Sequence, residues 1–402
     1  MGETRNGRGA ALVPSGAREP PGYQCLRSLG RAGVHTIYGK KYDSDTIPAS
    51  RYCDEAVSLP DPDEDILAYR DRLVEIARRP DVRTIVPTNE YDAYVLSKFD
   101  DAFAGEVSLP VPPFESLRTV HDRIQLAAAA EAAGVPVPET RTFDQVDDWD
   151  RELIIKSRYN LLAHDYDESC PRDEVEIVKD VTYLEPGEVP DREAVVDRMC
   201  HVPIVQECVQ RAGEYMVGAL YDHGEPVATL QIRQIREDSY MGGGGVYRKS
   251  MYDPELERVA RDLLDELDWH GLACIEYMED EETGEYKLAE INPRMWQSLV
   301  PAVRAGVDFP YYYWLLATGR RDRIEPEPRA GVGSHLIRGE VNHLQSIVEA
   351  ESDRVERPNL YATVGEMVVS TVLDPRFDTL RFDDPRPFAE GVLSGLRHRM
   401  KS

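Results

Sequence analysis

Lysine is scarce in this 402-residue chain, with 8 lysines against 39 arginines. Basic residues total 47 and acidic residues 74, leaving a formal charge of −27. A field that negative repels phosphate backbones and anionic lipids, so nucleic-acid and membrane partners are not expected. The acids are spread along the chain rather than gathered in a tail. Distributed acidity with arginine in place of lysine fits a halophilic protein, because concentrated salt screens self-repulsion. Long apolar runs are also missing: the longest, near Tyr311–Ala317, is far below the ~20 residues of a membrane span. Met1–Gly9 is polar, with two arginines and no apolar stretch behind it, so no signal peptide is expected and the location expected is cytoplasmic. The six cysteines (25, 53, 170, 200, 208 and 274) form no CxxC pair and no zinc-like spacing with histidine, and read as reduced core residues. Neither GxSxG nor GxxxxGK[ST] occurs, which excludes a serine elbow and a P-loop.

What is present alternates. Ala10–Val13 reads as a strand, Tyr23–Ala32 as a helix closed by Gly33, and Val34–Tyr38 as a second strand. A helix over Asp63–Arg79 and a third strand at Thr84–Val86 follow. This order predicts a parallel, doubly wound α/β layer. Gly16, between the first strand and helix, reads as a structural turn and not as part of a dinucleotide fingerprint. Pro110, Pro112 and Pro113 mark a boundary near residue 115, and Asp122–Ala133 is an alanine-rich helix stopped by Gly134. Leu153–Lys156 and Ile204–Val209 are strands, whereas residues 157–203 carry only weak patterning. Glu214–Tyr221 pairs with Val227–Ile235 through Asp222-His223-Gly224. Asp253 caps a helix with Leu256, Val259, Ala260, Leu263, Leu264 and Leu267 on one face. The divisions expected are a disordered tail (1–9), an α/β domain (10–115), a second domain (116–320) and a mixed C-terminal extension (321–402).

The chemistry concentrates in the last hairpin. Glu276 and Glu290 are equidistant from Thr283, so a simple antiparallel hairpin sets them opposite each other, an arrangement that like charges disfavour. Cys274 and Met278 are read on the face of Glu276, and Leu288 on that of Glu290, which argues against a solvated face. Asn292 points the same way as Glu290. Two carboxylates and an amide oxygen form a hard-oxygen set suited to Mg²⁺ (or Mn²⁺) with bridging phosphates. Arg294 follows, suited to an anionic intermediate. An exposed acidic hairpin is the competing reading. Gly242–Gly245 reads either as a mobile loop over a ligand or as a linker.

The run Glu290-Ile291-Asn292-Pro293-Arg294, with Glu276 before it, resembles the C-terminal metal motif of the ATP-grasp superfamily. Further segments resemble the superfamily's parts in its order. His121-Asp122-Arg123 resembles the basic position that reaches phosphate, and Gly134–Thr140 the turn after it. Ile154-Ile155-Lys156 resembles the strand whose lysine contacts phosphate. Gln206-Glu207-Cys208-Val209 resembles the adenine hinge, and Glu214 the acid on the ribose hydroxyls. The segment after Lys156 departs from the pattern, lacking the glycine-rich flap of many members.

The resemblance implies a Rossmann-like layer followed by an ATP-grasp fold, two α+β subdomains clamping ATP. ATP-binding residues would be Arg123, Lys156, Glu207, Cys208, Val209 and Glu214, and metal ligands Glu276, Glu290 and Asn292. Arg294 would be catalytic, with Arg233 or Arg236 near the substrate. The activity implied is a carboxylate–amine ligase acting through an acyl phosphate on small-molecule substrates, with a homodimer left open. A biotin-carboxylase-like carboxylase and a non-catalytic ATP-binding module are the alternatives.

Overall fold

The computed structural model describes residues 9–14, 20–42, 45–178, 180–352 and 354–399. Gly16 and the first eight residues of the expected tail lie outside the described residues. Strands β1 (Ala10–Pro14), β2 (His35–Lys40), β3 (Glu55–Ser58) and β4 (Val82–Ile85) make a parallel sheet in the order β3-β2-β1-β4. The sequence reading has three strands here. It misses β3, a four-residue edge strand that exposes alternate residues and has no apolar run to announce it. The helix Pro20–Arg31 does end just before Gly33, whose φ of +79° suits a residue without Cβ. The helix Ile66–Ala77 begins at Asp65, whose carboxylate accepts from the Ala68 N–H at 2.8 Å.

Next along the chain come β5 (Thr140–Thr142), β6 (Leu153–Lys156), β7 (Leu162–Ala163), β8 (Val175–Glu176), β9 (Val181–Leu184) and β10 (Ile204–Glu207). Four of them form a small antiparallel sheet, β5-β10-β6-β9, while β7 pairs with β8. The small sheet has a core of its own, including Phe143, Ile155, Leu184, Met199 and Val205.

A larger antiparallel sheet holds β11 (Arg211–Asp222), β12 (Glu225–Glu237), β13 (Gly245–Met251), β14 (Gly271–Asp280), β15 (Tyr286–Asn292) and β16 (Gly333–His335), ordered β15-β14-β11-β12-β13-β16. His223 and Gly224, at φ +51° and +79°, give the β11–β12 hairpin the left-handed pair that a two-residue turn needs. One face of this sheet packs on the helix Pro254–Glu266, which buries Leu256, Val259, Ala260, Leu263 and Leu264 against Tyr215, Val217, Ile275 and Tyr277. Its other face, with Met216 and Cys274, meets Trp296 and the helix Phe309–Ala317. That apolar run, read as too short for a membrane, is the mortar between sheets: the Tyr313 hydroxyl donates to the Ile85 carbonyl of β4 at 3.0 Å. Among the described residues no helix is long and apolar enough to cross a membrane.

The stretch after residue 320 corrects the expected divisions. It is mixed in content, but β16 pairs with β13, so a boundary at 320 divides one sheet. The same stretch reaches back to the first layer, where Asp384 accepts from the Tyr23 hydroxyl at 3.1 Å and the Arg51 N–H at 3.0 Å.

Candidate active site

Glu276 and Glu290 do lie directly opposite each other, but a simple hairpin is not the reason. Next to the turn the pairs are Glu279 with Tyr286, Met278 with Lys287 and Tyr277 with Leu288, a register that would set Glu276 against Ala289. The register slips between Glu276 and Tyr277, leaving Ala289 as the extra residue and bringing Glu290 into line. The slip also reverses the alternation. Leu288 therefore packs with Tyr277 in the core beneath the sheet and does not share the face of Glu290, contrary to the sequence reading.

The two carboxylates are electrostatically unequal. Glu290 Oε2 takes a hydrogen bond from Arg123 Nη2 at 3.1 Å, and Oε1 one from Asn292 Nδ2 at 2.8 Å. Burial alone would raise the Glu290 pKa. Arg123, Asn292 and the nearby Lys156 charge outweigh it and hold the carboxyl below its usual range. Glu276 has no such partner among the described residues. Burial and the facing Glu290 push its pKa up to about 8, against the partial relief of Arg294 and Lys156. Lys156, at the end of β6, is the mirror case. Burial and then the neighbouring Arg123 lower its pKa to about 7, although Glu290 and Glu276 pull the other way. Two half-buried carboxylates thus face each other beside Lys156, one balanced by Arg123 and Asn292 and the other not. A divalent ion with phosphate oxygens fits this donor set.

Arg123 opens the helix Arg123–Ala132, and its Nη1 donates to the Ser157 carbonyl at 2.9 Å. Asp122 caps that helix at Ile124 and is clamped by Arg158, Nε to Oδ1 at 3.0 Å and Nη2 to Oδ2 at 2.6 Å. The segment after Lys156, which lacks the glycine-rich flap, is thus folded onto the start of this helix. Asn160 donates to the Ile291 carbonyl at 3.5 Å, while its own buried Oδ1 has no partner among the described residues. The turn after the helix docks on β15, with the Leu288 N–H donating to the Pro136 carbonyl at 2.9 Å.

Arg294 is tied to the first layer. Its Nε donates to Glu90 Oε1 at 2.6 Å and its Nη1 to the Met295 carbonyl at 3.0 Å. Glu90 opens a helix of the first layer, Glu90–Lys98, and its other oxygen lies 3.3 Å from His121 Nε2. Burial would raise the Glu90 pKa, but Arg294 and His121 overcome it and bring the value down to about 2. Glu90 was not legible in the sequence, because it stands some 200 residues from Arg294 and belongs to no motif.

The residues expected at an adenine hinge, Glu207, Cys208 and Val209, lie where the small sheet meets β15. Lys287 Nζ bridges Glu207 Oε1 at 2.6 Å and Asp280 Oδ2 at 2.8 Å. The Cys208 N–H donates to the Glu152 carbonyl at 3.2 Å, and Val209 is half-buried beside it. Arg354, from the C-terminal stretch, reaches Glu152 at 3.5 Å and also pairs with Glu185. Glu214 is paired with Arg211. Arg233 and Arg236 are not brought to the carboxylates. Arg233 is exposed, opposite Tyr215 and over its ring, on the face away from Glu214 and Gln234. Arg236 is held by Glu340, Nη1 to Oε2 at 2.7 Å.

A cavity of about 350 Å³ lies on the sheet face that carries Glu276. Glu214, Gln234, Glu276, Ala289, Trp296 and Gln297 line it, together with Gly243, Gly244 and Gly245. The glycine run is therefore part of the cavity wall and not a remote linker. A Cβ on Gly244 would come within 2.7 Å of Gln297 Oε1, and one on Gly245 within 2.4 Å of Gln234 Oε1. Among the described residues the buried Gln234 Oε1 at this wall has no hydrogen-bond partner.

No family profile matches the chain, and no curated protein matches it by sequence. Solved structures do. An ADP complex of purK, N5-carboxyaminoimidazole ribonucleotide synthetase, superposes with a TM-score of 0.61 at 15% identity, covering 92% of this chain and 98% of that one. The biotin carboxylase domain of Hydrogenobacter thermophilus 2-oxoglutarate carboxylase, solved with MgADP and bicarbonate, gives 0.60 at 14% over 80% and 72%. L-amino acid ligase from Bacillus licheniformis gives 0.55 at 14% over 79% and 77%. The chain spans only 29% of the longer Rhizobium etli pyruvate carboxylase that it also matches. At these identities the likeness is one of fold: this chain has the fold of these biotin carboxylase and N5-carboxyaminoimidazole ribonucleotide synthetase structures.

Proposed function

We propose that this protein joins a carboxylate to an amine at the expense of ATP, releasing ADP and phosphate. The observation that carries the reading is the opposed pair Glu276 and Glu290, with Asn292 beside it and Arg123 and Lys156 facing it. Glu276, Glu290 and Asn292 would hold Mg²⁺ (or Mn²⁺), which when bound neutralises charge on the phosphates. Arg123 and Lys156 would orient the γ-phosphoryl group of ATP. Glu207, Cys208 and Val209 would meet the adenine edge and Glu214 the ribose. A carboxylate oxygen attacks the γ-phosphorus, the bond to ADP breaks, and an acyl phosphate remains. The amine nitrogen then attacks the acyl carbon and phosphate departs. Phosphoryl transfer asks mainly for positioning and charge neutralisation, which is what this arrangement of fixed charges supplies. Arg294, steadied by Glu90, would face the acyl phosphate.

The net charge of −27 and the scarcity of lysine support work in a salt-rich cytoplasm, on small molecules rather than nucleic acid. The test is an ATPase screen over pairs of carboxylates and amines, reading ADP release and product mass. ATP turnover driven by a pair, with a product heavier by the amine less water, is the expected result. ATP bound but never turned over across the screen would favour a non-catalytic module, and turnover driven by bicarbonate alone would favour a carboxylase.

A further inference from the structure

The helix Leu360–Leu373 is built inside out. Its buried positions are Thr363 and Ser370, whereas Tyr361 is 87% exposed, Val368 58%, Val369 58%, Val372 73% and Leu373 71%. Valine, threonine and glycine are also poor helix formers, so neither propensity nor an apolar face turned inward accounts for a stable helix here. The bare side chains present on the order of 700 Å² of apolar surface. That exceeds what a monomer ordinarily leaves uncovered and approaches the ~800 Å² per partner of a standard stable interface. The preceding helix, Ile337–Glu349, adds Val341 and Val348 at 53% and 61% exposure.

We infer that this face is covered by a second copy of the chain. Charge argues for that occupant. On a chain of net charge −27 the helix carries a single ionised side chain, Glu366, so it is a window through which an equally acidic copy can approach. Sequence argues for it as well. An antiparallel pairing about a two-fold axis between residues 366 and 367 sets Tyr361 against Val372, Val364 against Val369, and Gly365 against Val368. The stripe is thus complementary to itself when reversed, as an isologous contact requires. A Cβ on Gly365 would meet nothing within 4 Å, leaving room for the Val368 side chain of a second copy. Antiparallel packing also sets each helix N-terminus beside the opposite C-terminus, which the helix dipoles favour.

Sedimentation equilibrium of the full chain in about 2 M KCl tests the inference. The wild type should sediment at twice the 45.5 kDa chain mass. V368E places like charges near each other at the contact, which costs several kcal/mol at an interface, so dimerisation should weaken about 100-fold or more. V372E, at a more exposed position, should do the same and decides the matter if V368E alters the melt. Monomers with wild-type circular dichroism and melting from either variant support the pairing. A wild type that stays monomeric at tens of micromolar, or a dimer indifferent to both substitutions, overturns it. So does a monomeric wild type that pellets with phosphatidylcholine vesicles through this helix, because the face would then belong to a membrane.

Discussion

The inequality of the two hairpin carboxylates makes a prediction opposite in sign for two nearly identical substitutions. From sequence, Glu290→Gln should relieve like-charge repulsion and leave the fold as stable as before or more so. The structure moves that expectation to Glu276. An unfolded glutamate gives up its proton near pH 4.5, whereas Glu276 in the fold keeps its proton to about 8. Between those values the unfolded chain binds fewer protons, so the group's contribution to stability falls as pH rises. Each pKa unit is ~1.4 kcal/mol, so even half of this displacement amounts to roughly 2 kcal/mol. For a chain of this length that is about 2–3 °C in Tm. Glu290 has the reverse sign: its pKa is lowered, and its charge balances Arg123 and Lys156. Thermal melts without nucleotide or metal, at pH 5.5 and pH 8 in molar KCl, separate the two. Glu276→Gln should melt about 2–3 °C above wild type at pH 8 and by a smaller margin at pH 5.5, whereas Glu290→Gln should melt below wild type at pH 8. Added Mg²⁺ and ATP should raise the wild-type Tm and leave both variants nearly unmoved. A Glu276→Gln protein melting at or below wild type at pH 8, beside a stabilised Glu290→Gln, would refute the assignment of the uncompensated charge.

Lys156→Met should lower ATP turnover by about two orders of magnitude, the scale of a lost electrostatic contact to transferring charge. Because burial lowers the Lys156 pKa, its charged form costs the fold most below pH 7. The variant should therefore melt at or above wild type at pH 6, with the advantage shrinking toward pH 10. Glu90→Gln removes the charge that faces Arg294 and His121 and should cost about 2–4 kcal/mol at pH 7, read as a drop in Tm together with reduced turnover. The charge on Glu90 stabilises above its unfolded pKa and is lost as pH falls toward 2, so the gap between variant and wild type should close in acid. Raising KCl from about 0.01 M to 1 M shortens the Debye length from ~30 Å to ~3 Å and should raise the wild-type Tm; an unchanged Tm would count against the salt-adapted reading.

Helices and strands with strong periodicity were legible from sequence. Asp253 caps the helix Pro254–Glu266 as the spacing predicts, because a cap followed by apolar residues at i, i+3 and i+4 has one reasonable reading. What failed to show was structure with little pattern of its own. β3 and β7 to β9 are two to four residues long and gain their stability from neighbours, so the strands within residues 157–203 left only weak patterning. The Glu276–Glu290 pairing was anticipated through a symmetry that the turn does not have. A bulge at Ala289 supplies the missing residue, and no sequence rule applied to the hairpin placed it. Tertiary partners were out of reach for the same reason. Lys287 on Glu207, Glu90 on Arg294 and Arg354 on Glu152 each join segments dozens to hundreds of residues apart.

The central claim, activation of a carboxylate as an acyl phosphate, is tested most directly by the fate of one oxygen atom. A carboxylate labelled with ¹⁸O is incubated with ATP, magnesium and an amine that together drive turnover, and the released phosphate is analysed by mass. Attack of the carboxylate on the γ-phosphoryl group predicts ADP as the nucleotide product and one labelled oxygen in each phosphate released. Unlabelled phosphate, or AMP with pyrophosphate, would contradict it.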